Sequence, residues 1–395
     1  MPFLLYRYLI TETLAPFFAS LLIMTGVLFL GKLIPILNVI FTLGIGLADF
    51  IRLSAYIAPN LFLFSIPMAS MLGVILCFSR LVNDNEALAL KAGGIGLTKM
   101  LPPVIIVAVC TSLLTGYAST QLIPSGTIAM KKLFLQLAKE KIDRGMQKKK
   151  FSEGIKDVVV YIDQIDPYTK KWNGVYVSDS RDREHPLTII ASKGHLQAML
   201  EEMMIILTLE NGSIHRSKDE TTLAIRFREY SLALPLENPE SASGRSLASM
   251  GKKTLGQWAL LAQVKKVGAD SEKGINYLIE FHKRLVLPAG SFILTILGLP
   301  LALRSRPGQR PIGLPLGLFL FICFYVLLTA AKSFSEGNIL PVGLVMWSPN
   351  LLLGILTFYI LRSADKEKSL GLIDWFLETL QRLLSHLPFV GGGRS

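Results

Sequence analysis

The chain has 395 residues, 51% of them hydrophobic, with a mean hydropathy of +0.47 and a formal net charge of +12. It is too apolar for an ordinary soluble domain of that length. Its basic residues flank or separate apolar runs, so they read as topology signals and anionic headgroup contacts, and nucleic acid is not expected as a partner.

The first apolar run, 14–36, is interrupted only by Lys32 near its far end. It is longer than a signal-peptide core and lacks a small-residue cleavage site, so it is expected to stay as a membrane anchor. The second run, 54–78, contains Pro59 and Pro67, and the third, 100–123, opens on Pro102 and Pro103. Prolines are common in membrane helices, where neighbouring groups re-satisfy the carbonyls they free. A long polar stretch, 124–281, must fold outside the bilayer. Three further runs follow, at 285–303, 312–331 and 342–361. Each run is near the length that spans a bilayer as a helix. Cys77, Cys110 and Cys323 all fall in these runs and read as small buried hydrophobes, with no disulfide framework.

Lys and Arg in the short loops orient the spans. Arg7 precedes span one; Arg80, Lys91 and Lys99 lie between spans two and three. Arg304, Arg306 and Arg310 separate spans four and five, and Arg362, Lys366 and Lys368 follow span six. The opposite loops hold only Arg52 and Lys332. Both termini are therefore expected in the cytoplasm and the polar insert on the far side, which is the periplasm in a Gram-negative bacterium.

Within the insert the pattern turns to period two, with candidate strands at 158–162, 174–177, 187–191, 204–209 and 223–234. Asn211-Gly212 predicts a tight hairpin, and Pro167 with Asn173-Gly174 brackets another turn. The spacing suits an antiparallel sandwich or a partly open barrel. A helix over 131–144 is expected to lead from span three into this domain. Residues 238–253 read as a linker, after which Thr254 is placed to cap a helix carrying Leu255, Trp258 and Leu261. In the tail, Ile373, Phe376, Leu377, Leu380, Leu383, Leu384 and Leu387 recur at helical spacing. This fits a helix on the inner interface, a helix docked on a partner, or a poorly ordered terminus.

No catalytic constellation emerges. Around Gly251-Lys252-Lys253-Thr254 a P-loop fails, because Ser246 stands at the first glycine position and Lys253 where the Mg²⁺-binding hydroxyl belongs. The five histidines show no metal-ligand spacing, and no metal is expected. No HExxH, GxSxG or intramembrane His/Asp/Glu cluster is present, so uphill transport would draw its energy from another subunit. The sharpest local signal lies between spans two and three. Asn83 suits an N-cap, Glu86 the third helical position and Gly93 the end, predicting a short helix at 83–93 with Ala87 and Leu90 offering small apolar contacts. Glu86 then either caps its own helix or meets a basic group on a cytoplasmic ATPase, and the two roles can coexist. Lys32 either snorkels to the interface or meets lipid phosphates together with Lys131 and Lys132.

The ordered set of motifs resembles the lipopolysaccharide export permeases of the LptF/LptG (YjgP/YjgQ) family along essentially the whole chain, with the F type favoured. The matching segments are Tyr6-Arg7-Tyr8-Leu9-Ile10-Thr11-Glu12-Thr13-Leu14, Gly31-Lys32-Leu33, Asn85-Glu86-Ala87-Leu88-Ala89-Leu90-Lys91-Ala92-Gly93-Gly94, His282-Lys283-Arg284-Leu285, Gly298-Leu299-Pro300-Leu301 and Trp347-Ser348-Pro349-Asn350-Leu351. The resemblance implies a membrane α-helical protein with an inserted all-β domain: six transmembrane helices plus a periplasmic β-jellyroll-like domain between spans three and four. The segments would be 1–123, 124–281, 282–362 and a cytoplasmic tail, 363–395.

It also implies a non-catalytic permease that lifts lipopolysaccharide from the inner membrane into a periplasmic jellyroll bridge. Its partners would be a cytoplasmic ABC ATPase dimer, a second related permease in a heterodimer, and a single-span periplasmic jellyroll protein. The chain itself would hold no cofactor, ATP and Mg being bound by the ATPase. Asn85, Glu86, Ala87 and Leu90 would form the ATPase-coupling site, and Lys32, Lys131 and Lys132 would lie near the phosphorylated sugar head. Spans one and five would line a lateral gate. The rival readings are a membrane-anchored periplasmic receptor or scaffold, which leaves the helix at Glu86 without a task, and a lipid-modifying enzyme, which lacks the expected carboxylates or histidines.

Overall fold

The computed structural model describes residues 2–43, 46–145, 151–155, 158–165, 171–180, 187–199, 204–218, 221–235, 248–304, 313–337 and 340–365. Arg306, Arg310, Lys366, Lys368 and the predicted tail helix lie outside them. The helices are α1 (Pro2–Leu43), α2 (Leu47–Asn83), α3 (Glu86–Ala92), α4 (Leu97–Tyr117), α5 (Ile123–Gly145), α6 (Ala248–Thr254), α7 (Gln257–Val267), α8 (Glu272–Leu303), α9 (Gly313–Glu336) and α10 (Val342–Asp365). One π-helical turn, Ala118–Leu122, joins α4 to α5. Six candidate spans are long and apolar enough to cross a membrane: Phe3–Ile34, Leu47–Asn83, Leu97–Leu137, Glu272–Leu303, Gly313–Glu336 and Val342–Ala364. They match the six apolar runs in order, and the polar insert falls between the third and fourth.

The chain divides into two compact units. The first contains Met1–Leu28, Asn60–Leu122 and Gly256–Ser395. Its centre is the α2 face bearing Met71, Val74, Ile75 and Phe78, which packs on Leu294, Leu297, Leu299 and Leu301 of α8. Helices α2 and α8 approach closely because Gly298 has no side chain; a Cβ there would stand 2.9 Å from the Met71 carbonyl oxygen. A hydrogen bond of 2.7 Å between the buried Ser70 and Thr295 hydroxyls crosses the same contact. Small residues and shared hydroxyls are how apolar helices associate where lipid removes the usual hydrophobic drive.

Two of the helical prolines are matched by donors. Pro67 has no N–H to give the Leu63 carbonyl, and Tyr325 of α9 donates its hydroxyl there at 2.7 Å. Pro349 leaves the Val345 carbonyl in the same state, and Ser348 donates to it at 2.8 Å. Of the cysteines, only Cys77 is buried; Cys110 is exposed and Cys323 half-buried.

The second unit contains Phe29–Pro59 and Ile123–Leu255. Its sheet is an antiparallel meander in the order β1 (Phe151–Ile155), β2 (Val158–Ile165), β3 (Trp172–Asp179), β4 (Leu187–Met199), β5 (Met204–Lys218) and β6 (Thr221–Pro235). Five of the six strands contain a predicted one. β1 is additional, because Phe-Ser-Glu-Gly-Ile carries no alternation to reveal it.

Both Asn-Gly signals lie inside strands. Asn173-Gly174 is in β3 and Asn211-Gly212 in β5, with unbroken register on either side. Two transverse rows of paired residues explain this. Ile162, Val175, Ala191, Gly212 and Phe227 form one row, and Ile165, Trp172, Gly194, Leu209 and Tyr230 the other. Both rows belong to the core face, yet they stand three positions apart along every strand. The two residues between them, such as Asp163 and Gln164 or Ser192 and Lys193, are exposed on every one of these strands but β5, where Glu210 is half-buried beside an exposed Asn211. Alternation therefore changes phase along one line across five strands, a crease in the pleat. Gly174 (φ 65°) and Asn211 (φ 50°) sit on that line in the left-handed region, which Asn and Gly tolerate in a crease as readily as in a hairpin.

Two more expectations change. Thr254 ends α6, its hydroxyl donating to the Gly251 carbonyl, and the next helix begins after Gly256 with no side-chain cap. Residues 248–253, read as linker, belong to α6. On α7 the core-facing residues are Leu260 and Val264, while Trp258 points outward.

Candidate functional site

In the first unit, backbone hydrogen bonds fix the α2–α3–α4 elbow on both sides of α3. Helix α2 runs on through Asn83, which is therefore not a cap. The amide of Asp84 donates to the Arg80 carbonyl at 2.9 Å and that of Asn85 to Val82 at 3.1 Å. Asn85 then turns the chain at φ 62°, and α3 starts at Glu86. The N-cap is thus Asn85, whose side chain makes no capping hydrogen bond.

The other end closes as a Schellman motif. Ile95 N–H donates to the Leu90 carbonyl at 2.9 Å and Gly94 N–H to Lys91 at 3.0 Å, with Gly94 at φ 77°. Lys99 Nζ donates to the Gly94 carbonyl at 2.9 Å, adding a cation at the helix C-terminus. A seven-residue helix is unstable alone, and this one is held by both ends and by packing.

That packing separates its faces. Ala87 is 5% exposed, in a core with Leu9, Phe78, Leu81, Val82, Leu97, Met100, Leu299 and Ala302. Leu90 packs against the same core. Both predicted contact residues thus face inward. The exposed apolar side chain is Leu88, at 64%, with Ala89 and Ala92 also outward. On a helical wheel Leu88 falls nearly opposite Leu90, but that spacing alone does not say which of the two faces inward.

Glu86 is half-buried, and its Oε2 accepts a hydrogen bond of 2.7 Å from the Tyr8 hydroxyl of α1. Among the described residues no cation pairs with it. Nearby, Arg80 forms an ion pair with Glu12 of α1 and another, at 3.4 Å, with Asp84. Tyr8, Glu12 and Arg80 were not singled out as site residues from sequence. Glu12, a carboxylate just before a long apolar run, was the available hint.

The three candidate lysines lie in the second unit. Lys32 is exposed on α1, Lys132 is exposed on α5, and Lys131 is only 7% exposed. Their helices meet through Ile36 of α1, Leu53 of α2, and Leu133 and Leu137 of α5. Ile36 follows Lys32 by one helical turn. Among the described residues none of the three lysines forms an ion pair. A buried ammonium group without a counter-ion is costly, so it either takes an anionic partner or gives up its proton.

Residues 7–363 match the family model described as lipopolysaccharide export system permease LptF/LptG. An uncharacterized protein of Rickettsia prowazekii (strain Madrid E) is 23% identical over 339 residues, 85% of this chain and 91% of that protein. The lipopolysaccharide export system permease protein LptF of Escherichia coli K12 is 22% identical over 363 residues, covering 88% and 92% of the two chains. LptF of Shigella flexneri matches to the same extent.

Proposed function

The chain belongs to the lipopolysaccharide export permease LptF/LptG family, and from that premise we propose that it is one of two six-span permease chains in an ATP-driven exporter. It is a multi-pass membrane protein, a non-catalytic transporter subunit of the inner membrane. In the proposed assembly both termini are cytoplasmic and the β-rich unit is periplasmic. The second permease is a related chain, and a cytoplasmic ATPase dimer binds ATP and Mg.

The ATPase receives α3. Asn85, Leu88 and Ala89 enter its groove, and the free oxygen of Glu86 meets a basic side chain. Ala87 and Leu90 act from the inside, fastening α3 to α2 through Phe78 and Leu81 and to α4 through Leu97 and Met100. A helix boxed at both ends moves as a rigid body, so closure of the ATPase pair displaces the spans.

The lipid is amphiphilic, with several acyl chains beneath anionic phosphates. It takes an apolar cavity walled by the two permeases, spans one and five forming the gate, with Lys32, Lys131 and Lys132 as the cationic rim. Collapse of the cavity expels it toward the β-domain. A free sheet edge there pairs with a single-span periplasmic jellyroll protein and continues the bridge.

The observation that carries this reading is the family match, which runs through all six spans and the sheet together. Purification from native membranes tests it. An ATP-binding subunit and lipopolysaccharide should come with the wild-type chain, and Glu86→Lys should release the ATPase. Purification with no nucleotide-binding partner would contradict it.

A further inference from the structure

We propose that Tyr8 is a positioning residue for Glu86, and that through it the start of α1 is fastened to the coupling helix as an output beside α2 and α4. The proposal rests on the reading of α3 as the element that docks on the ATPase.

Glu86 is the first residue of a seven-residue helix, and nothing within α3 fixes its carboxylate. The partner that does is 78 positions away: the Tyr8 hydroxyl donates to Oε2 at 2.7 Å. A neutral donor suits this task. It occupies one oxygen and sets the plane of the carboxylate without cancelling the charge, leaving Oε1 for a cation. Ordering the side chain inside the folded permease removes that entropy loss from the docking step.

Tyr8 is itself held. Leu9, beside it, is fully buried in the core that contains Ala87, and Leu5 packs on the same core together with Leu90. One turn further along α1, Glu12 pairs with Arg80, whose guanidinium also reaches Asp84 in the elbow. Further still, Phe17 lies over Gly73 of α2, where an added Cβ would come within 3.0 Å of the Phe17 backbone. Hydrogen bond, ion pair and packing thus tie one face of α1 to the elbow. Helix α9 contributes no described residue to this core. A push on α3 therefore reaches α1 directly and α9 only through other helices.

A double-mutant cycle on the reconstituted permease–ATPase complex tests the role, with ATPase affinity as the readout. Tyr8→Phe keeps the ring and removes only the hydroxyl. It should weaken ATPase binding about two- to tenfold, the equivalent of one intramolecular hydrogen bond. In a Glu86→Ala background the same change should have no further effect, because there is no carboxylate left to position. A purely structural role for Tyr8 would instead give equal losses in both backgrounds, and that result overturns the proposal, as does unchanged affinity for Tyr8→Phe alone. If Glu86→Lys leaves the ATPase bound at full affinity, the docking role of α3 is wrong and Tyr8 falls with it. If Glu86→Lys releases the ATPase while Tyr8→Phe does nothing, only the Tyr8 proposal fails.

Discussion

Tyr325 donates its hydroxyl to the carbonyl oxygen of Leu63, the acceptor that Pro67 deprives of its helical donor. Sequence and fold compensate each other across 262 positions. Tyr325→Phe should leave a buried carbonyl unpaired and cost about 1–3 kcal/mol, seen as a lower unfolding temperature in detergent. Pro67→Ala restores an N–H at that turn, so in its background Tyr325→Phe should cost clearly less. Equal penalties in both backgrounds would mean that the hydroxyl does not serve this carbonyl.

The crease in the sheet makes a second claim. Asn211 occupies a left-handed conformation within β5. Asn211→Gly should therefore be near neutral, whereas Asn211→Val should destabilise by about 1–3 kcal/mol. Gly174→Ala should also destabilise, since its φ is positive and a Cβ would stand 2.9 Å from Cβ of Asp163. Chemical denaturation followed by Trp172 fluorescence reports on both. Tolerance of Val at 211 would argue against the crease.

The faces of α3 predict opposite phenotypes for neighbouring residues. Leu88→Asp should leave the unfolding temperature unchanged and release the ATPase in pull-down. Ala87→Leu overfills the core and should cost about 1–3 kcal/mol, lowering the unfolding temperature. Reversal of the two results would turn the helix over.

Lys131 tests whether the buried cation is kept for a ligand. Lys131→Met preserves the stem and removes the charge, so the unfolding temperature should hold or rise while lipid-stimulated ATP turnover falls. Lys32→Glu, at an exposed position, should impair the same stimulation with assembly intact. Full stimulation in both variants would remove these lysines from the lipid site.

The spans were legible because apolar runs of bilayer length have few other structural outcomes, and the five longer strands because one face alternates. The errors share a cause. An Asn-Gly pair reports a tolerated backbone conformation, not always a reversal of the chain: at 211–212 the crease uses it in place of the expected hairpin, whereas the turn bracketed by Pro167 and Asn173-Gly174 does fall between the antiparallel β2 and β3. Thr254 and Asn83 are good capping residues that the neighbouring helix absorbs, because caps compete with tertiary packing for the same few residues. At the elbow, the sequence marked α3 and Glu86. It did not show which way Ala87 and Leu90 point, or that Tyr8 and Arg80 reach the elbow, since those contacts depend on how α1 lies against α2.

The central claim is that this chain is a permease driven by another protein's ATP hydrolysis. Lipopolysaccharide release from proteoliposomes containing the purified chain, with and without its ATPase and second permease, tests it most directly. The chain alone should neither hydrolyse nucleotide nor release the lipid, the complete assembly should release it with ATP, and Glu86→Lys should abolish that release. Nucleotide hydrolysis by the isolated chain, or release that continues without the ATPase, would contradict it.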